Sequence, residues 1–208
     1  TKEDWAVMGQ ALGLDRPLYV QYFSFLQDGL RGDFGESIYY HQPALSVFWS
    51  RFPNTLQLAL AAMGFAIAVG IPVGIWSAVS VGRWFDRFGK VFALLGQSLP
   101  TFWLGIMLIF VFGARLHLLP TSGIGSPKHL ILPAFTLGWY FMAAQVRLTR
   151  SSMLDVLDAE YIKLARVKGV PKRSVILKHA LRNAVLPVLT LLALNFIVML
   201  GGAVVTEV

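Results

Sequence analysis

Cysteine is absent from the 208 residues, which excludes a disulfide framework, a thiolate zinc site and an iron–sulfur centre. Charge is scarce: 14% of residues are Asp, Glu, Lys or Arg, against about 25% in an ordinary soluble domain. That leaves too little polar surface to cover the chain in water. With 56% hydrophobic residues and a mean hydropathy of +0.62, lipid is the expected solvent for much of the surface. Patterns that carry chemistry are missing too. His41, His117, His129 and His179 share no i,i+4 spacing, so no metal site is expected. Gly89-Lys90 lacks the upstream glycine and the following hydroxyl of a phosphate-binding loop. No serine-centred nucleophile elbow occurs. An enzyme is a weak reading, and no cofactor is expected in this chain.

What the chain has is four uncharged runs: residues 55–79, 91–114, 129–146 and 184–206, of 25, 24, 18 and 23 residues. At 1.5 Å per residue they reach about 27–37 Å, against a hydrocarbon core of about 30 Å. Each holds proline or glycine, so kinked helices are expected, because lipid obliges the backbone to satisfy its own hydrogen bonds. Gly70-x-x-x-Gly74 and Gly64-x-x-x-Ala68 are small-residue pairs that permit close helix contact. The fold class is therefore all-α, a polytopic helical membrane protein with four spans.

Charge sets the orientation. Residues 80–90 carry Arg83, Arg87 and Lys90 against Asp86, and residues 147–183 carry nine basic residues against Asp155, Asp158 and Glu160. The segment between the second and third runs has only Arg115 and Lys128, and the first 54 residues have four basic against six acidic. The basic pair of regions belongs in the cytoplasm, which puts residues 1–54 and 116–128 outside. The formal net charge of +7 is thus a topology signal, and no nucleic-acid partner is expected.

Residues 1–54 read as an extracytoplasmic segment, with short helices near residues 5–12 and 17–30 and an irregular stretch to Pro43. A surface helix over residues 44–51 is expected to be anchored by Phe48 and Trp49. An outside start with no exporting segment ahead of it implies an upstream span, so the chain reads as a fragment of a longer one.

The runs hold no carboxylate, lysine or arginine, whereas an ion-driven carrier usually keeps an ionisable group at depth. Gln97, Ser98, Gln145 and Asn195 are the candidates for lining a pathway. Interhelical hydrogen bonding is the plainer role for each. Gln97-Ser98 is the best of them, since a kink at Pro100 frees carbonyls toward an aqueous cavity.

The cytoplasmic loop, residues 147–183, is too long for a plain turn. Ser152-x-x-Asp155 is a possible helix start. Apolar residues recur at Val156/Leu157, Tyr161, Leu164/Ala165 and Val167, Gly169 fits a helix stop, and Pro171 prevents smooth continuation. A second helix is expected from Lys172. The arrangement suits either an interfacial helix on anionic headgroups or a docking element for a cytosolic partner.

At this point the chain resembles a known family. Asp158-Ala-Glu-Tyr-Ile-Lys-Leu-Ala-Arg-Val-Lys-Gly169, followed by His179-Ala-Leu-Arg-Asn-Ala-Val-Leu-Pro-Val188, is similar to the cytoplasmic loop of ABC importer permeases of the dipeptide/oligopeptide/nickel type. Leu12 to Phe23, Gly32-Asp-Phe-Gly-Glu-Ser37, Arg147-Leu-Thr-Arg-Ser-Ser152 and Leu200-Gly-Gly-Ala-Val-Val-Thr-Glu207 are similar in the same order. Against the general importer motif Glu-Ala-Ala-x-x-x-Gly, this chain has Lys163-Leu164-Ala165 before Gly169, without the glutamate and first alanine.

The resemblance implies a type I importer transmembrane domain over residues 55–208, the middle of a six-span permease. It implies a prokaryotic cell membrane and a pathway for a peptide or similar solute, with dipeptide, oligopeptide, nickel and glutathione all open. The implied partners are a second homologous permease, two cytosolic ATPases that hold ATP and magnesium, and an extracytoplasmic solute-binding protein. Glu160, Tyr161, Lys163, Ala165, Arg166, Lys168 and Gly169 would dock an ATPase. The rival readings are a membrane scaffold that recruits a cytosolic protein and moves nothing, and a carrier or channel working alone.

Overall fold

The computed structural model describes residues 15–37, 39–123 and 125–206, with side chains to residue 201. Among the described residues all regular structure is helical, apart from an isolated bridge between Glu36 and Pro43. The chain divides into two units, Thr1–Asn54 and Thr55–Val208, each taken by itself below.

In the first unit, Pro17 caps α1 (Leu18–Leu30), matching the helix expected over residues 17–30. The helix expected near residues 5–12 lies outside the described residues. After α1 the chain turns at Gly32 (φ +80°) and Gly35 (φ +73°), and the Gly35 N–H donates to Asp33 Oδ1 at 2.9 Å. The Tyr40 ring lies under the Arg51 guanidinium, which also donates to the Tyr40 hydroxyl at 2.9 Å. The surface helix expected over residues 44–51 is not separate: α2 runs unbroken through Ala44–Val79. Phe48, Trp49 and Phe52 pack ring to ring, with centroids 5.3–5.7 Å apart, across the turn ahead of Pro53. Pro53-Asn54 could turn the chain there, yet the helix continues through both.

The second unit takes α2 from Thr55 and adds α3 (Trp84–Ser98), α4 (Thr101–Leu108), a π-helical turn π1 (Ile109–Arg115) and α5 (Pro127–Leu157). It is completed by α6 (Glu160–Val167), α7 (Lys172–Ser174), a second π turn π2 (Val175–Ala180) and α8 (Leu181–Thr206). α5 is the central element, packing against α3, α4 and α8. Small residues hold α2 against it. A Cβ on Gly70 would meet Gln145 Cβ at 2.8 Å, one on Gly74 would meet Thr149 Cβ at 2.6 Å, and one on Gly138 would meet the Ala62 carbonyl at 2.7 Å. Lipid supplies no hydrophobic drive between helices, so close van der Waals contact of this kind is what associates them. Gly64, by contrast, has open space, and Ala68 is exposed, so that pair marks no close helix crossing among the described residues.

Two apolar clusters result. One joins α2, α5 and α8 through Ala59, Ala62, Met63, Ala134, Val188, Leu192 and Met199. The other lies at the opposite end, where Ala78, Met153, Ile162, Val175, Ala180 and Ala184 gather five elements.

The second uncharged run bends far more than a kink. Pro100 forces Leu99 out of the helical region, to φ −81° and ψ 123°. The helical segments Trp84–Ser98 and Thr101–Arg115 meet at 98°. No residue of α4 is fully buried, and Phe102, Trp103, Ile106 and Phe110 stand exposed along α4 and π1.

Among the described residues, Ala44–Val79 and Lys172–Gly201 are long and apolar enough to cross a membrane, and the bent pair makes a third if it is one span. The fourth expected span, residues 129–146, lies inside α5, whose 31 residues suffice in length. That stretch carries His129, Thr136, Trp139, Tyr140 and Gln145 among its apolar residues, and α5 falls outside the candidates by composition.

Candidate functional site

The segment between the third and fourth runs is shorter than the sequence implies. α5 continues through Ser152, which is buried mid-helix and caps nothing, and ends at Leu157. The break falls at Asp158–Ala159, where Ala159 takes extended backbone (φ −66°, ψ 146°) ahead of α6. No glycine or proline marks it. On the far side the chain is again helical from Lys172.

α6 ends in a Schellman motif. The Val170 N–H donates to the Ala165 carbonyl at 3.1 Å and the Gly169 N–H to the Arg166 carbonyl at 3.0 Å. Gly169 sits at φ +78°, yet a Cβ there would meet nothing within 4 Å. Its requirement is therefore conformational and not steric. Ile162 is fully buried in the second apolar cluster, and Ala165 is half-buried against it. Ala165 thus packs against its own chain. The outward side carries Tyr161, Leu164 and Val167, the last 85% exposed, with Glu160, Lys163 and Lys168 around them. Lys163 Nζ pairs with Glu160 Oε1 at 3.0 Å and lies 3.6 Å from Asp158 Oδ1. The Tyr161 hydroxyl accepts from Asn183 Nδ2 at 2.7 Å, which ties α6 to α8. Arg166 Nη2 donates back to the Leu157 carbonyl at 3.4 Å.

Elsewhere in the second unit, an ion-pair network around a buried carboxylate holds three helices together. Asp86, in the first turn of α3 ahead of the uncharged run, accepts from Arg150 Nε at 2.7 Å and Nη2 at 3.3 Å. It also accepts from Ser77 Oγ at 2.8 Å and the Gly82 N–H at 3.1 Å. Lys90 Nζ is 3.0 Å from the same carboxylate. The Arg150 guanidinium beside Asp86 outweighs the cost of burial and, with the Gly82, Lys90 and Ser77 contacts, holds the carboxyl well below the usual carboxylate range. Sequence reasoning missed this pair, whose members are 64 residues apart. The one available signal was Asp86 as the lone acid among three cations. Ile162 was missed as well; its i+3 spacing to Ala165 would have put both on one face.

The four pathway candidates are not brought together. Gln97 is half-buried near the end of α3, and Ser98 is exposed at its last residue, beside the Pro100 elbow. Gln145 is fully buried at the α2–α5 crossing, and Asn195 is half-buried on α8. Among the described residues the Gln145 amide and the Asn195 Nδ2 have no hydrogen-bond partner, and neither do Trp139 Nε1 and Thr149 Oγ1, which the sequence did not single out. An unpaired buried polar group costs about 1–3 kcal/mol, so these positions on α5 and α8 call for a water or a solute group.

Long apolar helices held by small-residue contacts, with a glycine-stopped helix clamped at their ends, define a polytopic helical membrane protein. Residues 70–208 match the binding-protein-dependent transport system inner membrane component family, and the chain belongs to it, as an ABC importer permease of the peptide/nickel type. It is 44% identical over 202 residues to the glutathione transport system permease protein GsiC of Salmonella paratyphi A, covering 97% of this chain and 66% of that protein. It is 44% identical over 198 residues to the protein of the same name from Escherichia coli K12, covering 95% and 65%. The chain therefore spans just under two thirds of the length of these relatives.

Proposed function

We propose that this chain forms part of the membrane pathway of an ATP-driven importer in a prokaryotic inner membrane, with α6 as the surface that docks a separate ATPase subunit. The observation that carries it is the mounting of α6. Ile162 is sunk in the cluster that joins the span ends, Tyr161 is bonded to α8, and Leu164 and Val167 face outward, exposed among the described residues. A helix so fixed moves with the bundle, so rigid-body motion of a docked ATPase would switch access to the pathway. Tyr161, Glu160, Lys163, Lys168 and the turn at Gly169 form the docking face, and Ala165 and Arg166 support it from behind. Gln97 and Ser98 at the elbow line the pathway, with Gln145 and Asn195 as further amides for water or solute.

The cargo is a small peptide. Glutathione, named for the relatives, is the first candidate, and the uncharged runs suit a solute that is selected elsewhere and passed without tight binding. The remaining partners are a second permease, a second ATPase and a solute-binding protein on the opposite face, with residues 1–54 outside and the α5–α8 connection inside. The test is reconstitution of the full-length protein with and without its ATPases and binding protein. Uptake of labelled glutathione or dipeptide only in the complete, ATP-supplied system supports the proposal. Uptake by the permease alone would make it a carrier, and partner binding without uptake in the complete system would make it a scaffold.

A further inference from the structure

Behind α6, between it and the span ends, lies a cavity of about 700 Å³, within the size range of ligand sites. Its wall is apolar, with Val79 at the end of α2, Leu154 on α5 and Ile176 on π2. Arg166 and Lys172 stand on its lining, with Asp158 as the single acid. Asp158 faces Lys163 Nζ at 3.6 Å, so its charge is already partly met, and Arg166 is folded back toward the cavity by its bond to the Leu157 carbonyl.

The level of this cavity in the bilayer follows from α2. α2 is longer than the hydrocarbon core of about 30 Å, and Val79 closes its uncharged stretch, with Arg83, Arg87 and Lys90 following on the cytoplasmic side. That step in charge places Val79 at the boundary between acyl chains and headgroups. An opening there, apolar on one wall and cationic on the other, has the polarity of a phospholipid at its glycerol backbone. Basic pockets between membrane helices on the cytoplasmic side suit anionic headgroups.

We propose that this cavity binds an anionic phospholipid of the cytoplasmic leaflet, its phosphodiester between Arg166 and Lys172 and its glycerol and upper acyl chain against Val79, Leu154 and Ile176. Such a lipid wedges between α6 and the bundle, so the anionic lipid content sets how firmly the helix is seated. The proposal needs the chain to be a membrane protein and does not depend on ATPase docking.

The test uses the full-length permease in phosphatidylcholine vesicles that carry a trace of photoactivatable phosphatidylglycerol or photoactivatable phosphatidylcholine. Labelled peptides are mapped by mass spectrometry. Labelling within residues 154–158 or 172–176 by the phosphatidylglycerol probe, several-fold above the phosphatidylcholine probe, supports the site. Lys172→Gln, at an exposed position, should lower that labelling about fivefold, the value of one surface cation toward anionic lipid. Ile176→Trp should block it by filling the cavity. Equal labelling by the two probes, or wild-type labelling in Lys172→Gln, overturns the proposal. Loss of labelling on addition of soluble glycerol phosphate also overturns it, since the site would then take a free anion. Should Ile176→Trp fail to assemble, Lys172→Gln alone decides.

Discussion

Gly169 and Asp86 show two ways in which one residue governs this structure. At Gly169 the φ of +78° costs an ordinary L-residue about 1–2 kcal/mol, while the space around it is open. Gly169→Val should therefore loosen the Schellman turn and abolish or uncouple ATP-dependent uptake. Gly169→Asn, whose side chain tolerates left-handed backbone, should keep most of it. Equal loss in both variants would mean that the position is read by a partner's surface and not by its backbone. At Asp86 the carboxylate is buried and its folded pKa is depressed, so its contribution is present above the ordinary carboxylate range and is lost only as pH falls toward the depressed value. Asp86→Ala strands the Arg150 guanidinium and should destabilise the assembled protein by roughly 3 kcal/mol, seen as a lowered thermal midpoint in detergent. In the Asp86→Ala/Arg150→Met double variant much of that loss should be recovered, and strictly additive losses would refute the pairing.

Among the elements, the α2–α5 crossing is set by absent side chains. A Cβ at Gly74 would lie 2.9 Å from the Val146 carbonyl as well as against Thr149, and backbone cannot step aside. Gly74→Leu should push the helices apart, at about 1–3 kcal/mol or more. Gly64→Ala, in open space on the same helix, should stabilise it by up to about 1 kcal/mol. Thermal unfolding of the two variants in the same detergent compares them directly, and an undiminished midpoint for Gly74→Leu would contradict the packing. The composition alone identified which stretches are helical, because uncharged length is a local property. Glycine and proline placed the stop at Gly169 and the break at Pro100. It did not reveal the size of the bend at Pro100, the continuity of α2 through Pro53, or the stop of α5 at Asp158–Ala159. Each depends on what packs nearby and not on a breaker in the chain. The same holds within the candidate site: Gly169 was legible as a helix stop, while the roles of Ile162, Ala165 and Arg150 depend on partners far away in sequence.

For the molecule as a whole, the charge distribution and the family agree on a multi-pass membrane permease, and the structure fixes α6 to the bundle through Ile162 and Tyr161. Reconstitution is the measurement at this scale, and the expected outcome is no uptake without the ATPases. The elbow at Pro100 carries a consequence for the surroundings. Turned nearly square to α3, α4 presents Phe102 and Ile106 sideways with none of its own residues fully enclosed. A flank this bare is not left to water, so acyl tails or a neighbouring subunit must clad it, and a chain stripped of both would clump through that shoulder before its bundle came apart.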